Sequence, residues 1–297
     1  EVESDGVEID VDMNMFKILP LSVDGLSWNS RINFTKSESI VTKQEDEQIL
    51  FGGGVDIGNV AIEGFPLGTI VGGRIERNDD GEYIVNAAGD YNSEFTIAID
   101  DNGNEVPLGT EGSRQVNAIL GNPEPDFVMN YINSINYKNF TLGFHFQHVS
   151  GGDMYSSTIG VLLGRGNVRS DRRETFILEG VNADGSPNTI MINNSQYYFT
   201  NILNGPAELS VFDASVIRLQ EVSFAYTFPQ EFLDKTPFGE LSLTFAGYNL
   251  WHDAYNTPEE VNFDPNVAGA GIGNARGIDY MNGPSTKRYG VSLKASF

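Results

Sequence analysis

The chain has few residues suited to catalysis or metal binding, and their spacing is poor for both. Its three histidines are His145, His148 and His252. His145 and His148 stand three apart in a segment that reads as a strand, so they point to opposite faces and a shared metal is not expected. His252 beside Asp253 falls at a strand–loop edge, an ordinary surface position. DDNGNE, from Asp100, invites comparison with a calcium loop, which wants Gly at its sixth position and Glu at its twelfth. Here those positions are Glu105 and Glu111, so a solvated acidic turn is the plainer reading. Calcium in some acidic loop stays open because oxygen ligands are abundant. GAGIGNARG, from Gly269, misplaces the third glycine of a dinucleotide fingerprint and lacks the strand-to-helix context. The 41 Asp and Glu residues are scattered, with no nucleophile elbow or zinc motif beside them. Cysteine is absent, which removes disulfides, thiolate metal sites and thiol nucleophiles together. No catalytic residue is assigned, and an enzyme is not expected.

The elements that would position these residues have a repeat of two. Val7, Ile9, Val11, Met13 and Met15 alternate with Glu8, Asp10, Asp12 and Asn14. Trp28, Ser30, Ile32 and Phe34 alternate with Asn29, Arg31, Asn33 and Thr35. YINSINYKN, from Tyr131, is expected to pair with the strand after it across a short turn at Lys138 and Asn139. In that second strand Leu142, Phe144 and Phe146 share one face, and His145 and Gln147 share the other. Residues 215–228 alternate again, as does ELSLTFAGYNLW from Glu240. The last strand, 287–297, sets Tyr289, Val291, Leu293, Ala295 and Phe297 against Arg288, Gly290, Ser292, Lys294 and Ser296. Eight or nine strands are expected in all. Between them lie glycine-, asparagine- and acid-rich stretches at 45–125, 172–204 and 252–285. These read as excursions from a wall, with short strands such as 69–76 and a helical turn or two after Met154.

Composition narrows the class. No run of 18 apolar residues exists, so membrane-spanning helices are excluded. A β-barrel remains, because only alternate residues meet lipid. A net charge of −23 argues against nucleic acid and anionic membrane surfaces. Spans of roughly 9–11 residues and hairpins that alternate short turns with long loops are the pattern of an outer-membrane barrel. A soluble, ligand-binding β-sandwich at the cell surface would also alternate; independence from detergent would mark it.

Three stretches resemble the SusC/RagA-like family of TonB-dependent outer-membrane transporters. ASVIRLQEVSFAYTFPQEFL, from Ala214, is similar to the family's small residue, R-L step and aromatic strand. LTFAGYNLW, from Leu243, with FDPNVAGAG, from Phe263, is similar to its Asn-Leu strand and Asp-Pro loop. ILGNPEPDFVMNYINSINYKNFTLGFHFQHVSGGDMY, from Ile119, is similar to its G-N-P-x-P-D-F segment and following hairpin. The terminal strand, through Tyr289, Val291, Leu293 and Phe297, resembles the outer-membrane assembly signal.

The resemblance implies an all-β fold in which residues 1–297 form the C-terminal part of a large antiparallel barrel of about 22 strands, with long extracellular loops. Glu1 is not Met and no signal-like segment precedes it. The chain therefore reads as a mature product or a fragment, and the resemblance favours a fragment. It further implies uptake of a bulky nutrient, a glycan or an oligopeptide. The implied partners are a SusD-like surface lipoprotein, TonB through an N-terminal part not contained here, the plug and remaining barrel, and outer-membrane lipid. A scaffold role in a larger envelope assembly is the alternative. Tyr197, Tyr198, Trp251 and Tyr255 are the candidate ligand-contacting aromatics; the same rings also suit an interfacial girdle, the reading the sequence favours.

Overall fold

The computed structural model describes residues 1–19, 23–53, 56–168, 171–258, 261–266 and 276–297. Seven long strands form one antiparallel sheet in strict chain order: β1 (Val2–Asn14), β2 (Leu26–Val41), β3 (Phe127–Tyr137), β4 (Phe140–Ser150), β5 (Val216–Thr227), β6 (Glu240–Asp253) and β7 (Arg288–Ser296). The eight or nine strands expected from the sequence therefore divide. Seven build this wall, while Thr69–Gly72 and Arg74–Ile75 pair within a separate lobe, because their apolar side chains pack into its core.

The connections alternate in length as the sequence indicated. Short turns join β1 to β2, β3 to β4 and β5 to β6. At the first of these, Asn14 caps a helical turn, Met15–Ile18, by accepting the Phe16 amide. At the second, Lys138 adopts a φ of +51°, the left-handed value that tight two-residue hairpins demand. Residues 42–126, 151–215 and 254–287 make the long connections at the other end.

Register explains the two faces of the wall. Ile9 stands opposite Phe34, Phe34 opposite Met129, and Met129 opposite His148. Leu142, Phe224, Phe245 and Val291 form another row across β4 to β7. These rows give one continuous apolar face. Mid-face, Ser30 and Asn133 are cross-strand neighbours, each 2% exposed. The Ser30 hydroxyl and the Trp28 indole both donate to Asn133 Oδ1, at 2.5 and 2.9 Å, so the main polar break in that region is largely internal. The opposite face carries Asp10, Arg31, Asn130, His145, Gln147, Arg218 and Ser292. A bulge interrupts β5 between Leu219 and Glu221, matched on β6 where Asn249 takes a φ of +52°. The Asn-Leu strand end recognised in the sequence is thus the bulged residue pair, and the bulge adds one residue to β5's inner face.

The three long connections fold together into a lobe with a core like that of a water-soluble protein. Its largest cluster packs Val60, Ile62, Val71, Ile97, Ile99, Val116 and Ala118 from the first connection. A second joins Met154, Ile159 and Leu163 to Ile202. Burying each such side chain contributes roughly 1.5–3 kcal/mol. The third connection is stitched in by backbone pairing: Ile278–Asp279 lies parallel to Asp153–Ser156, which also pairs with Val211–Asp213. The helix α1 (Ser157–Gly164) follows, as anticipated after Met154. Its first turn is held by Asp279, a fully buried carboxylate that accepts from the Ser156 hydroxyl (2.6 Å) and the Thr158 amide (3.1 Å). Negative charge at a helix N-terminus is favourable, and here it fastens one connection onto another.

Candidate functional site

The lobe sits on the polar face of the wall. Ser39 of β2 donates from its hydroxyl and amide to Glu124, and Val41 and Val216 are buried beneath the lobe. Below it, polar side chains link four adjacent strands, β2 to β5, with Asn130 Nδ2 of β3 donating to Asn33 Oδ1 of β2 at 3.5 Å. Asn130 of β3 is central: His145 Nε2 lies 2.9 Å from its Oδ1, and Gln147 donates to the same oxygen at 3.3 Å. Gln220 of β5 donates to Gln147 Oε1 at 2.8 Å. Because of the bulge, Gln220 and Glu221 both serve this face, Glu221 standing opposite His145. At the edge of the wall Arg31 pairs with Asp10.

Where the lobe meets β4 and β5 there is a recess of ≈ 380 Å³. Gln147, Gln220 and Arg218 line it from the wall, Pro123 and Asp153 from the first two connections, and Arg276 from the third. Arg218 is 4% exposed, and its Nη2 lies 3.0 Å from Asp264 Oδ1. The R-L step and the Asp-Pro loop, far apart in sequence, therefore meet in an ion pair. Arg218 Nε has no partner. Asp153 accepts the Asn122 amide at 2.7 Å; burial nonetheless pushes its carboxyl above the usual carboxylate range, with Asp213 and Asp126 adding to the effect.

The four candidate aromatics do not converge on this recess. Tyr197 and Tyr198 pack in the lobe, with Tyr197 edge-on to Phe176, and Arg172 lies over the Tyr198 ring at 4.9 Å. Burial raises the Tyr197 hydroxyl above its ordinary pKa. Trp251 and Tyr255 are exposed at the lobe-proximal rim of the wall. Trp251 is paired with Leu219 on the apolar face, and the Tyr255 hydroxyl lies 3.0 Å from His148 Nε2. His145 and His148 point to opposite faces, as their spacing required. Tyr289, Val291, Leu293 and Phe297 are exposed along β7, and the Phe297 ring lies 5.1 Å from Phe238.

Sequence reasoning missed Arg218, Gln220 and Asp153. The signal available for Arg218 was its place in the R-L step; nothing local announces that Asp264 would reach it. Among the described residues no group of three or more acidic or histidine side chains could hold a metal. Asp100 spends its carboxylate on the amides of Asn102 and Asn104, 2.9 and 2.8 Å away. Most of the glycine cluster from Gly269, and the later part of the Asp-Pro stretch, lie outside the described residues.

A sheet in chain order, one apolar and one polar face, and short turns opposite long connections make an antiparallel wall of the kind found in outer-membrane β-barrels. No helix among the described residues is long and apolar enough to cross a membrane, which says nothing of strands. No family model matches the chain. Over its whole length the chain is 24% identical to TonB-dependent receptor P3 of Formosa agariphila, covering 29% of that protein. Over 67% of its length it is 27% identical to TonB-dependent receptor P26 of the same organism, covering 19% of it. Its fold matches the RagAB peptide transporter structure at a TM-score of 0.55, with 12% identity, all of this chain and 29% of that one covered. The RagAB peptide importer in the closed-closed state matches at 0.55, with 13% identity, all of this chain and 30% of that one. The chain thus spans less than a third of the relatives it matches. The all-β fold expected from the sequence is shown, and the resemblance to SusC/RagA-like TonB-dependent receptors is supported by similarity to proteins of that name.

Proposed function

We propose that residues 1–297 are the C-terminal portion of an outer-membrane barrel that takes up a bulky nutrient in a TonB-dependent step. The observation that carries this is the pairing of a continuous apolar face on β1 to β7 with long connections gathered into a lobe over the polar face. A barrel wall in lipid needs the first. A receptor that captures cargo before passage needs the second. The relatives' names supply the TonB dependence. The open edges of β1 and β7 then continue into further strands, since unpaired backbone cannot face hydrocarbon.

The cargo is a glycan or an oligopeptide, and a SusD-like surface lipoprotein covers the lobe, as the two-component RagAB assemblies suggest. Plug and TonB contacts belong to parts beyond this chain. Deleting the gene in its native host tests the reading. Growth on oligopeptide mixtures and on polysaccharides as sole carbon source is compared with wild type and with a TonB-deficient strain. Loss of growth on one class in both strains is the expected result. Normal growth on every bulky substrate would overturn it.

A further inference from the structure

Among the described residues, Arg218 and Asp153 are charged groups that line the recess under the lobe, with Arg276 beside them in an interaction of its own. Asp153 is already engaged by the Asn122 amide, and burial disfavours its ionised form. Arg218 gives the recess a cationic group with an unmet donor. Its guanidinium is almost wholly buried; Asp264 meets it at Nη2, while Nε is left without a partner. An unpaired N–H on a buried cation is costly. A guanidinium edge offers two parallel donors, and a carboxylate is the group that matches them. Gln147 and Gln220, held together at 2.8 Å, supply further amide groups in the lining, and the β5 bulge is what brings Gln220 there. A volume of ≈ 380 Å³ is near the lower end for ligand pockets, about 300–1,000 Å³. It suits one terminal unit of a chain rather than the whole oligomer.

We propose that this recess is a carboxylate-binding subsite at the mouth of the lumen, anchored by Arg218 and competing with Asp264 for it. It rests on the uptake reading and adds to it the chemistry of the cargo: a unit bearing a free carboxylate. A peptide C-terminus and a uronate sugar both supply that group. Entry of the ligand displaces Asp264 from Arg218, loosening the third connection at that carboxylate anchor, while Asp279 still holds it at another.

The test uses the full receptor purified in detergent and four probes followed by calorimetry: N-acetyl-trialanine, its C-terminal amide, digalacturonate and neutral digalactose. The expected result is that at least one acid binds tenfold or more tightly than its neutral twin, and which acid does so identifies the source. Arg218→Gln should abolish the preference. Asp264→Asn, which removes the competing carboxylate and keeps Arg218, should preserve or strengthen it. Equal behaviour of acids and neutral twins, including no binding of either, would overturn the proposal. So would loss of the preference in Asp264→Asn, which would make the pair purely structural. If Arg218→Gln fails to fold, the wild-type and Asp264→Asn comparisons still decide. Acid preference without TonB-dependent growth would instead sink the uptake reading and leave the subsite standing.

Discussion

Phe224, Phe245, Val291 and Leu293 stand exposed on the wall, whereas Ile62, Ile70 and Ile99 in the lobe are completely enclosed. Both regions come from one chain of ordinary hydropathy. In the lobe, apolar side chains find one another, as they do in any water-soluble core. In the wall they form ordered rows that touch one another across strands, as Phe140 and Phe224 do, yet stay exposed. Such a row would be an aggregation hazard in water, and it is the normal outer surface of a strand in lipid. The contrast supports the proposed barrel, whose wall meets lipid and whose lobe meets water, with the boundary where β2, β4 and β5 enter the lobe.

The largest expected effect lies on the lobe's side. Ile70→Ala should cost about 2–5 kcal/mol through lost burial and a cavity, measured as resistance of the lobe to limited proteolysis, with equal effect in detergent and in lipid. Next, Phe224→Arg should cost about 2–4 kcal/mol at mid-wall, while Ser223→Arg on the opposite face should be tolerated. Urea titration of folding into liposomes separates them; equal penalties would erase the distinction between the faces. Asp279→Ala leaves the Ser156 hydroxyl and the Thr158 amide without their acceptor and should cost about 1–3 kcal/mol. Faster hydrogen exchange of the Thr158 amide checks it.

The smallest effect is on pH dependence, and it also distinguishes parts of the lobe. Hydrogen bonding from Arg74 holds Glu105 below its ordinary value of 4.5. Its stabilisation is present above that value and lost as pH falls through the lowered one. Asp153 is shifted the other way by burial from 3.8, so its contribution is present below 3.8 and lost as pH rises through the raised value. Thermal unfolding of Glu105→Gln should lose part of its acid sensitivity, and that of Asp153→Asn part of its decline toward neutral pH.

The wall was legible in the sequence because a two-residue period survives without tertiary information. Alternation at 7–15 and at 287–297 gave the faces, and Lys138-Asn139 gave a turn. The lobe was legible only as irregularity. Its strands are two to five residues long, fully buried ones such as Ile57–Ala61 do not alternate, and a partner can lie in another connection. Tyr155 opposite Ile278 is such a pair. The recess was hidden for the same reason. Arg218 and Asp264 are joined by the fold, and Gln220 reaches the polar face through a bulge that no single-strand pattern predicts. Residue type alone points to the four candidate aromatics, and type does not tell a lobe core from a wall rim.

The absence of cysteine allows the central claim to be tested directly. Single cysteines at Phe224 and Ser223, in the full receptor reconstituted in liposomes, can be labelled with an environment-sensitive fluorophore and challenged with lipid-borne and water-borne quenchers. The label at 224 should be quenched from the lipid and the label at 223 from water. Quenching of both from water, or a reversal of the two, would contradict the assignment of the apolar face to the membrane.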